Sequence, residues 1–130
     1  MHKETRFSVF SVNEERVREA VIQFISPAKD RFGRVLEAEN RVVGCFFGHL
    51  SDLWFSNDLC GFDDVFYIGP EHRGGMSAAR MVNDFERWCH SSGASAVLVG
   101  VSSGVMVDRT GAFLMRLGYE RLGGIYRRHF

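Results

Sequence analysis

The stretch from Asp63 to Val82 constrains the fold more than any other part of the chain, because it joins an apolar strand to a helix through a glycine-bearing turn. Residues 65–68 are β-branched or aromatic and predict a strand that ends at Gly69-Pro70. A helix-forming stretch begins near Gly75. The sequence therefore predicts a strand, a tight turn and a helix in direct succession.

The turn between this strand and helix has the geometry of an anion-binding site. The first amides of a helix have no partner within the helix, and they lie at the positive end of its dipole. We therefore expect the amides of Gly74 to Ala78 to point outward and to bind a phosphate or pyrophosphate. The same glycines are also compatible with a plain tight turn that needs their backbone freedom and binds nothing.

The N-terminal half of the chain predicts two further units. Residues 7–10 alternate as a half-buried strand, and a helix follows with Asn13 as its N-cap and Pro27 as its end. Residues 34–39 and 42–50 then predict a hairpin that turns at Asn40-Arg41.

The C-terminal half completes the predicted order β-α-β-β-β-α-β-α-β. Gly93 closes the central helix, and residues 94–101 predict a buried strand. Residues 111–118 predict a short helix with Gly118 at its C-terminal cap, and a last strand follows. The predicted fold is α/β (α+β), a mixed sheet with helices on both faces.

The composition fits a single domain spanning residues 1–130. The 130 residues are 45% hydrophobic, and a chain of this length buries about two-thirds of its unfolded surface. The formal net charge is zero, which gives no clear signal for nucleic acid or an anionic membrane. The three cysteines lack metal-ligand spacing, so we expect reduced thiols and no metal. The reduced thiols indicate a cytoplasmic protein. No stretch approaches the ~18 to 20 apolar residues that cross a bilayer, so we expect no membrane partner.

Two motifs of the chain resemble those of the GNAT superfamily of N-acetyltransferases. The turn Arg73-Gly74-Gly75-Met76-Ser77-Ala78 resembles the family's Arg/Gln-x-x-Gly-x-Gly/Ala, with Met76 where the middle glycine is usual. Residues 113–119 resemble the aromatic-Tyr-x-x-Leu-Gly-Phe/Tyr end of the family's last helix, with Leu114 in place of the tyrosine. The likeness covers roughly residues 34–130. The Gly-Gly-x-Tyr ending at residues 123–126 is similar to that of small acetyltransferase-like proteins of bacteriophages.

The resemblance implies a GNAT-like splayed sheet and acetyl-CoA as co-substrate. The strands around Phe66 and Leu98 would splay apart to hold the pantetheine arm, and a main-chain amide at or near Ile68 would face the thioester oxygen. The reaction implied is direct attack of a primary amine on the thioester. The cofactor-binding residues implied are Phe66 and Ile68 on the strand, and Arg73, Gly74, Gly75, Met76, Ser77 and Ala78 in the turn.

The acceptor amine arrives as an ammonium ion, so the reaction needs a base. Asp64 is the first candidate, because it alternates in phase with Phe66 and Ile68, and Asp63 is the second. Both are also compatible with a solvated pair of aspartates that opens a strand. His49, on the predicted hairpin, could act as a base from across the sheet.

The absence of a tyrosine at position 114 puts the usual proton donor in question, and three functional hypotheses are open. Because no tyrosine stands there, either the thiolate leaves without an acid, another residue protonates it, or the protein does not catalyse. The first hypothesis is an N-acetyltransferase whose partner is a small-molecule or protein amine acceptor, with a homodimer as an option. The second is a GNAT-like binding or structural module, for example of a phage, which Leu114 and Met76 favour. The third is another nucleotide-binding α/β protein, although Rossmann and P-loop signatures are absent from the sequence.

Overall fold

A hairpin and a strand–helix–strand unit build a four-stranded mixed sheet in the computed structural model, which describes residues 1–26 and 28–130. The strand order is β1-β2-β3-β4, with β4 parallel to β3 and the other pairs antiparallel. The predicted mixed sheet is confirmed. The elements along the chain are a short 3₁₀ helix (His2–Glu4), α1 (Glu14–Ile25), β1 (Arg31–Ala38), β2 (Arg41–Asp52), β3 (Leu59–Ile68), a second 3₁₀ helix (Pro70–His72), α2 (Ser77–Ser91), β4 (Ala96–Leu98) and α3 (Val107–Arg116).

The predicted hairpin is formed by β1 and β2, with its turn one residue earlier than expected. Glu39 and Asn40 occupy the turn with φ of 51° and 60°. Two successive left-handed residues make a type I′ turn, whose twist matches that of the strands it joins. Asn40 tolerates this conformation well, which explains why the turn centres on it rather than on Arg41.

Helices α1 and α2 cover opposite faces of the sheet, as predicted. On one face, the ring of Phe24 in α1 stacks on Phe47 of β2 with centroids 5.0 Å apart. On the other, Phe85 of α2 lies 4.8 Å from Phe46, the preceding residue of β2. Successive strand residues point to opposite sides of a sheet, so the two helices are on opposite sides too. These are named the α1 face and the α2 face.

The helix ends largely follow the sequence prediction. The side chain of Asn13 caps α1 by accepting a hydrogen bond from the amide of Arg16 at 3.0 Å. Helix α1 ends at Ile25, and Pro27, the predicted terminator, lies outside the described residues. Gly93 follows α2 and Gly118 follows α3, with φ of 86° and 98°. Both close their helices with paired amide-to-carbonyl bonds of the Schellman type, as glycine in this conformation allows.

The hydrophobic core of the sheet lies on the α2 face. Phe46, Val82, Phe85 and Cys89 are fully buried there. A Cβ added to Gly61 would lie 2.3 Å from the sulfur of Cys89, so the glycine lets the helix approach the strand closely.

The strands predicted at residues 7–10 and at the C-terminus are wrong for the part of the chain that the structure describes. The amides of Ser8 and Phe10 bond to the carbonyls of Thr5 and Phe7 in local turns, so they do not join a ladder. Residues 120–130 are all exposed and carry no strand. Both segments belong to a compact unit made of Met1–Ser11 and Gly100–Phe130, while Val12–Val99 forms the unit that contains the sheet. A single domain over residues 1–130 stays a prediction.

Candidate functional site

The edge of β3 opens halfway along the strand. Residues 60–62 of β3 pair with Ala96–Leu98, and there β4 ends, whereas β3 continues to Ile68. Along residues 63–68 the described part of the chain places no strand on the side away from β2. The predicted splay of the sheet is thereby confirmed. Strand β4 spans Ala96–Leu98 and is shorter than the predicted 94–101.

Next to this opening, β3 contains a β-bulge at Asp64. Phe47 of β2 pairs with Val65 and Gly48 pairs with Asp63, so Asp64 is the extra residue of β3. A bulge of this kind bends a strand and redirects a side chain. Asp64 therefore stands at the point where β3 separates from β4.

The bulge also changes the face to which Asp64 belongs. The sequence placed Asp64 in phase with Phe66 and Ile68, and this is wrong. Phe66 packs against Phe46 on the α2 face, with centroids 5.1 Å apart, and Ile68 is buried. Asp64, shifted by the extra residue, lies on the α1 face.

Asp64 forms a pair with His49 on the neighbouring strand. The Nδ1 atom of His49 lies 2.8 Å from Oδ2 of Asp64. The two side chains are 37% and 33% exposed, so the pair is held in place and still open to solvent. The sequence named both residues as separate candidate bases, and the structure brings them together.

Asp63, the second predicted base, points elsewhere. It is opposite Gly48, and a Cβ added to Gly48 would lie 2.7 Å from the ring of Phe85. This position belongs to the α2 face, away from His49. The side chains of the two adjacent aspartates thus lie on opposite faces of the sheet.

The turn after β3 joins the strand to α2 as predicted. A 3₁₀ turn at Pro70–His72 leads to Arg73, and Gly74 follows with φ of 91°. Gly74 needs the left-handed conformation, in which other residues are strained. Gly75 does not: its φ is ordinary for a side chain, and an added Cβ would meet nothing within 4 Å.

The amides from Gly74 to Ala78 are unused hydrogen-bond donors at the start of α2. Within the described residues these amides have no hydrogen-bond acceptor, and the first bond of the helix is from Arg80 to the carbonyl of Met76 at 3.0 Å. The N-cap residue, Met76, is 67% exposed and its side chain cannot accept a hydrogen bond from these amides. Donors of this kind are satisfied by water or by an anion.

Arg73 connects the end of β3 to this turn. Its Nε donates to the carbonyl oxygen of Ile68 at 2.7 Å, and its guanidinium carbon lies 5.7 Å from the centre of the Tyr67 ring. An arginine held in this way loses less side-chain freedom if it then binds an anion. The predicted phosphate turn and the open strand edge are therefore physically linked.

Two of the three thiols, Cys45 and Cys89, lack the environment of a nucleophile. Burial raises the pKa of the Cys45 thiol. Burial, and to a lesser degree the Glu86 carboxylate, raise the pKa of Cys89 to about 11. A thiol attacks as the thiolate, so both groups are poor nucleophiles at neutral pH. No group of three potential metal-binding side chains occurs among the residues that the structure describes.

Leu114 lies in the other compact unit, on α3. Its side chain is 5% exposed, and its carbonyl accepts the amides of Leu117 and Tyr119 in the helix cap. It is thus a buried residue of α3, which is a sufficient physical reason for an aliphatic side chain there.

No helix of the described chain is long and apolar enough to pass through a bilayer.

Solved acetyltransferases share this fold. Glucosamine-6-phosphate N-acetyltransferase from Arabidopsis thaliana matches with a TM-score of 0.71 at 17% identity, over 92% of this chain and 80% of that one. Aminoglycoside antibiotic 6'-N-acetyltransferase from Acinetobacter haemolyticus matches at 0.71 and 13% identity, over 93% and 83%. A third structure, AAC(6')-Iy in complex with the bisubstrate analogue CoA-S-monomethyl-acetylneamine, matches at 0.67 and 14% identity, over 92% and 82%.

These likenesses establish a GNAT-like fold, as the sequence motifs predicted. No protein-family model and no curated protein matches the sequence. At identities below 20% the three structures show the fold alone, and the activity is a separate question. A bacteriophage origin and a cytoplasmic location stay sequence-based predictions.

The bulge and the pair that it creates are what the sequence analysis missed. Its argument for Asp64 assumed an unbroken alternation along β3, and an extra residue reverses that alternation. The available signal was weak: Gly48, a strand glycine on β2, is a residue type that often marks a bulge or a close approach.

Proposed function

We propose that this chain is an N-acetyltransferase that transfers the acetyl group of acetyl-CoA to a primary amine. The observation that carries the proposal is the continuity of the open edge of β3 with the amides at the start of α2. An extended thioester arm with a pyrophosphate at one end is a ligand that matches both features at once.

The turn would bind the pyrophosphate of acetyl-CoA. The amides of the turn supply hydrogen-bond donors at the positive end of the helix dipole, and the Arg73 guanidinium supplies charge. The backbone of β3 at Phe66 and Ile68 would hold the pantetheine arm along its open edge, and an amide near Ile68 would stabilise negative charge on the thioester oxygen. The turn residues assigned to the pyrophosphate are Arg73, Gly74, Gly75, Met76, Ser77 and Ala78.

The protonated state of the Cys45 and Cys89 thiols supports direct attack by the amine. An acyl-enzyme route needs a nucleophile on the protein, and burial keeps Cys45 and Cys89 protonated at neutral pH. The remaining requirement is a base for the ammonium ion. Asp64 lies at the bulge beside the open edge, whereas Asp63 faces α2. We therefore assign removal of the proton from the ammonium ion to the α1 face, on which Asp64 lies.

The test is acetyl transfer to defined amines. Purified protein is incubated with acetyl-CoA and either glucosamine 6-phosphate, an aminoglycoside, spermidine or a lysine-containing peptide. Release of free thiol and a gain of one acetyl group, measured by mass spectrometry, are the expected results for at least one acceptor. Stabilisation of the protein by CoA in a thermal-shift experiment is expected in parallel.

The alternative is a GNAT-like module that binds CoA but does not transfer acetyl groups. Leu114 favours it, because a buried aliphatic side chain cannot protonate a thiolate. The same experiment separates the two: stabilisation by CoA without acetylation of any amine supports the module. A homodimer is a further proposal, which light scattering tests directly.

A further inference from the structure

Asp64 lies where the edge of β3 opens, and its partner His49 lies on the neighbouring strand β2. CoA binding alone gives this pair no role. From this position we infer that His49 is the base that deprotonates the acceptor amine, and that Asp64 is the residue that positions it. The inference rests on the proposed N-acetyltransferase function and adds to it which nitrogen takes the proton.

The hydrogen bond fixes the tautomer of His49. An ionised carboxylate only accepts hydrogen bonds, so Nδ1 of His49 must carry the hydrogen that it shares with Oδ2 of Asp64 at 2.8 Å. The lone pair of the neutral imidazole is then on Nε2. Over residues 1–26 and 28–130, no protein group bonds to that atom. The pair therefore presents an oriented, accessible base.

The surroundings of His49 hold the ring in one orientation. Its ring stacks on Phe62 with centroids 5.6 Å apart and an angle of 21° between the planes. Arg31 is the paired residue on β1, and its guanidinium lies over the Phe24 ring at 5.5 Å. Arg31 and Asp64 are thus the charged groups that neighbouring strands present beside His49 on the α1 face.

Asp64 is better placed to position a base than to be one. One of its oxygens is already engaged by the imidazole, and an imidazole is in general a stronger base than a carboxylate. The bulge makes the pair, because without the extra residue Asp64 would point to the α2 face. His49, on the α1 face, would then lack this partner.

The proton balance follows from this arrangement. Nε2 of His49 takes one proton from the ammonium ion, and the imidazolium is stabilised by Asp64. The amine lone pair forms the C–N bond at the thioester carbonyl, the C–S bond breaks, and sulfur leaves with the electron pair. The second proton of the nitrogen passes to that sulfur to give the free thiol. His49 then releases its proton to water.

Four variants test the inference: His49→Gln, Asp64→Asn, the double variant, and His90→Gln. The last is a matched control, because His90 is an exposed histidine of α2, away from the pair. Steady-state rates are measured with the best acceptor across about pH 5.5 to 9, together with CoA affinity and thermal unfolding. His49→Gln should lower kcat by ~10² to 10⁴ and remove the acidic limb of the pH–rate profile. Asp64→Asn should cost less and keep that limb, because the histidine still titrates. The double variant should be no slower than His49→Gln, since the two residues act as a unit.

A spectroscopic measurement tests the positioning role separately. The ¹⁵N chemical shifts of His49 should report hydrogen on Nδ1 at high pH in the wild-type protein and a mixture of tautomers in Asp64→Asn. Wild-type turnover in folded His49→Gln, or a larger loss in Asp64→Asn than in His49→Gln, would overturn the inference and leave the proposed function standing. If the wild-type protein binds CoA and acetylates none of the amines, both fail together.

Discussion

The two faces of the sheet differ in what they bury. On the α2 face, Phe46 and Phe85 are completely shielded, and glycines bring helix and strand into direct contact. On the α1 face, every residue of α1 is at least partly exposed, and the His49–Asp64 pair is about one-third exposed. One face supplies the stability of the unit, and the other leaves polar side chains accessible.

The difference shows how one strand serves both purposes. Before the bulge, β3 follows strict alternation and its glycine at position 61 fits against Cys89. After the bulge, Phe66 and Ile68 return to the α2 face while Asp64 remains on the other. A single extra residue therefore adds a polar pair without opening the core.

The largest effect expected is on the α2 face. Phe85→Ala should lower the free energy of unfolding by ~3 to 5 kcal/mol, because it removes a fully buried ring and leaves a cavity. Phe24→Ala is the matched change on the α1 face, where the ring is half-buried, and should cost no more than about half as much. Urea unfolding of both variants measures the difference. Equal losses would contradict the contrast between the faces.

A smaller effect is expected from adding one methyl group at two glycines. In Gly48→Ala the new Cβ would lie 2.7 Å from both the Phe62 carbonyl and the Phe85 ring, so a loss of ~1 to 3 kcal/mol is expected. In Gly75→Ala it would meet nothing within 4 Å, and the change should stay within about 0.5 kcal/mol. A stable Gly48→Ala protein would mean that α2 packs less tightly on β2 than described.

A third effect concerns the pH dependence of stability. The pKa of Cys89 rises from its ordinary value of 9.0 to about 11 in the folded protein. The folded state therefore holds the thiol proton more tightly than the unfolded state does. The protonated Cys89 thiol contributes fully to the free energy of unfolding below about pH 9, and this contribution is lost as the pH rises through about 11. Unfolding free energies measured from pH 8 to 11 should fall more steeply for the wild-type protein than for Cys89→Ala. Parallel curves would exclude the effect.

The sequence predicted the elements whose signals are local. The Asn13 cap, the turn at Asn40, and the glycines at 93 and 118 each depend on the conformational preference of one residue. The strand–turn–helix run was predicted for the same reason, since its glycines and its apolar strand are contiguous.

What could not be predicted depends on distant partners. Residues 7–10 have the alternation of a strand, yet a strand also needs a neighbour, and their amides bond in local turns instead. The bulge at Asp64 is set by the register with β2, which no window of β3 alone contains. The site was therefore predicted as separate residues, and its geometry required the structure.

The most direct test of the proposed site is calorimetric titration of CoA into the wild-type protein, Gly75→Asp and Asn83→Asp. Each variant places a carboxylate on an exposed residue in or near α2, but only the first places it among the amides of the turn. Because nothing lies within 4 Å of a Cβ at Gly75, the variant should fold, and its carboxylate should repel the pyrophosphate. We expect Gly75→Asp to weaken CoA binding at least about tenfold, a loss of ~1.4 kcal/mol or more, with Asn83→Asp close to wild type. Equal Kd values for wild type and a folded Gly75→Asp protein would contradict the assignment of this turn to acetyl-CoA.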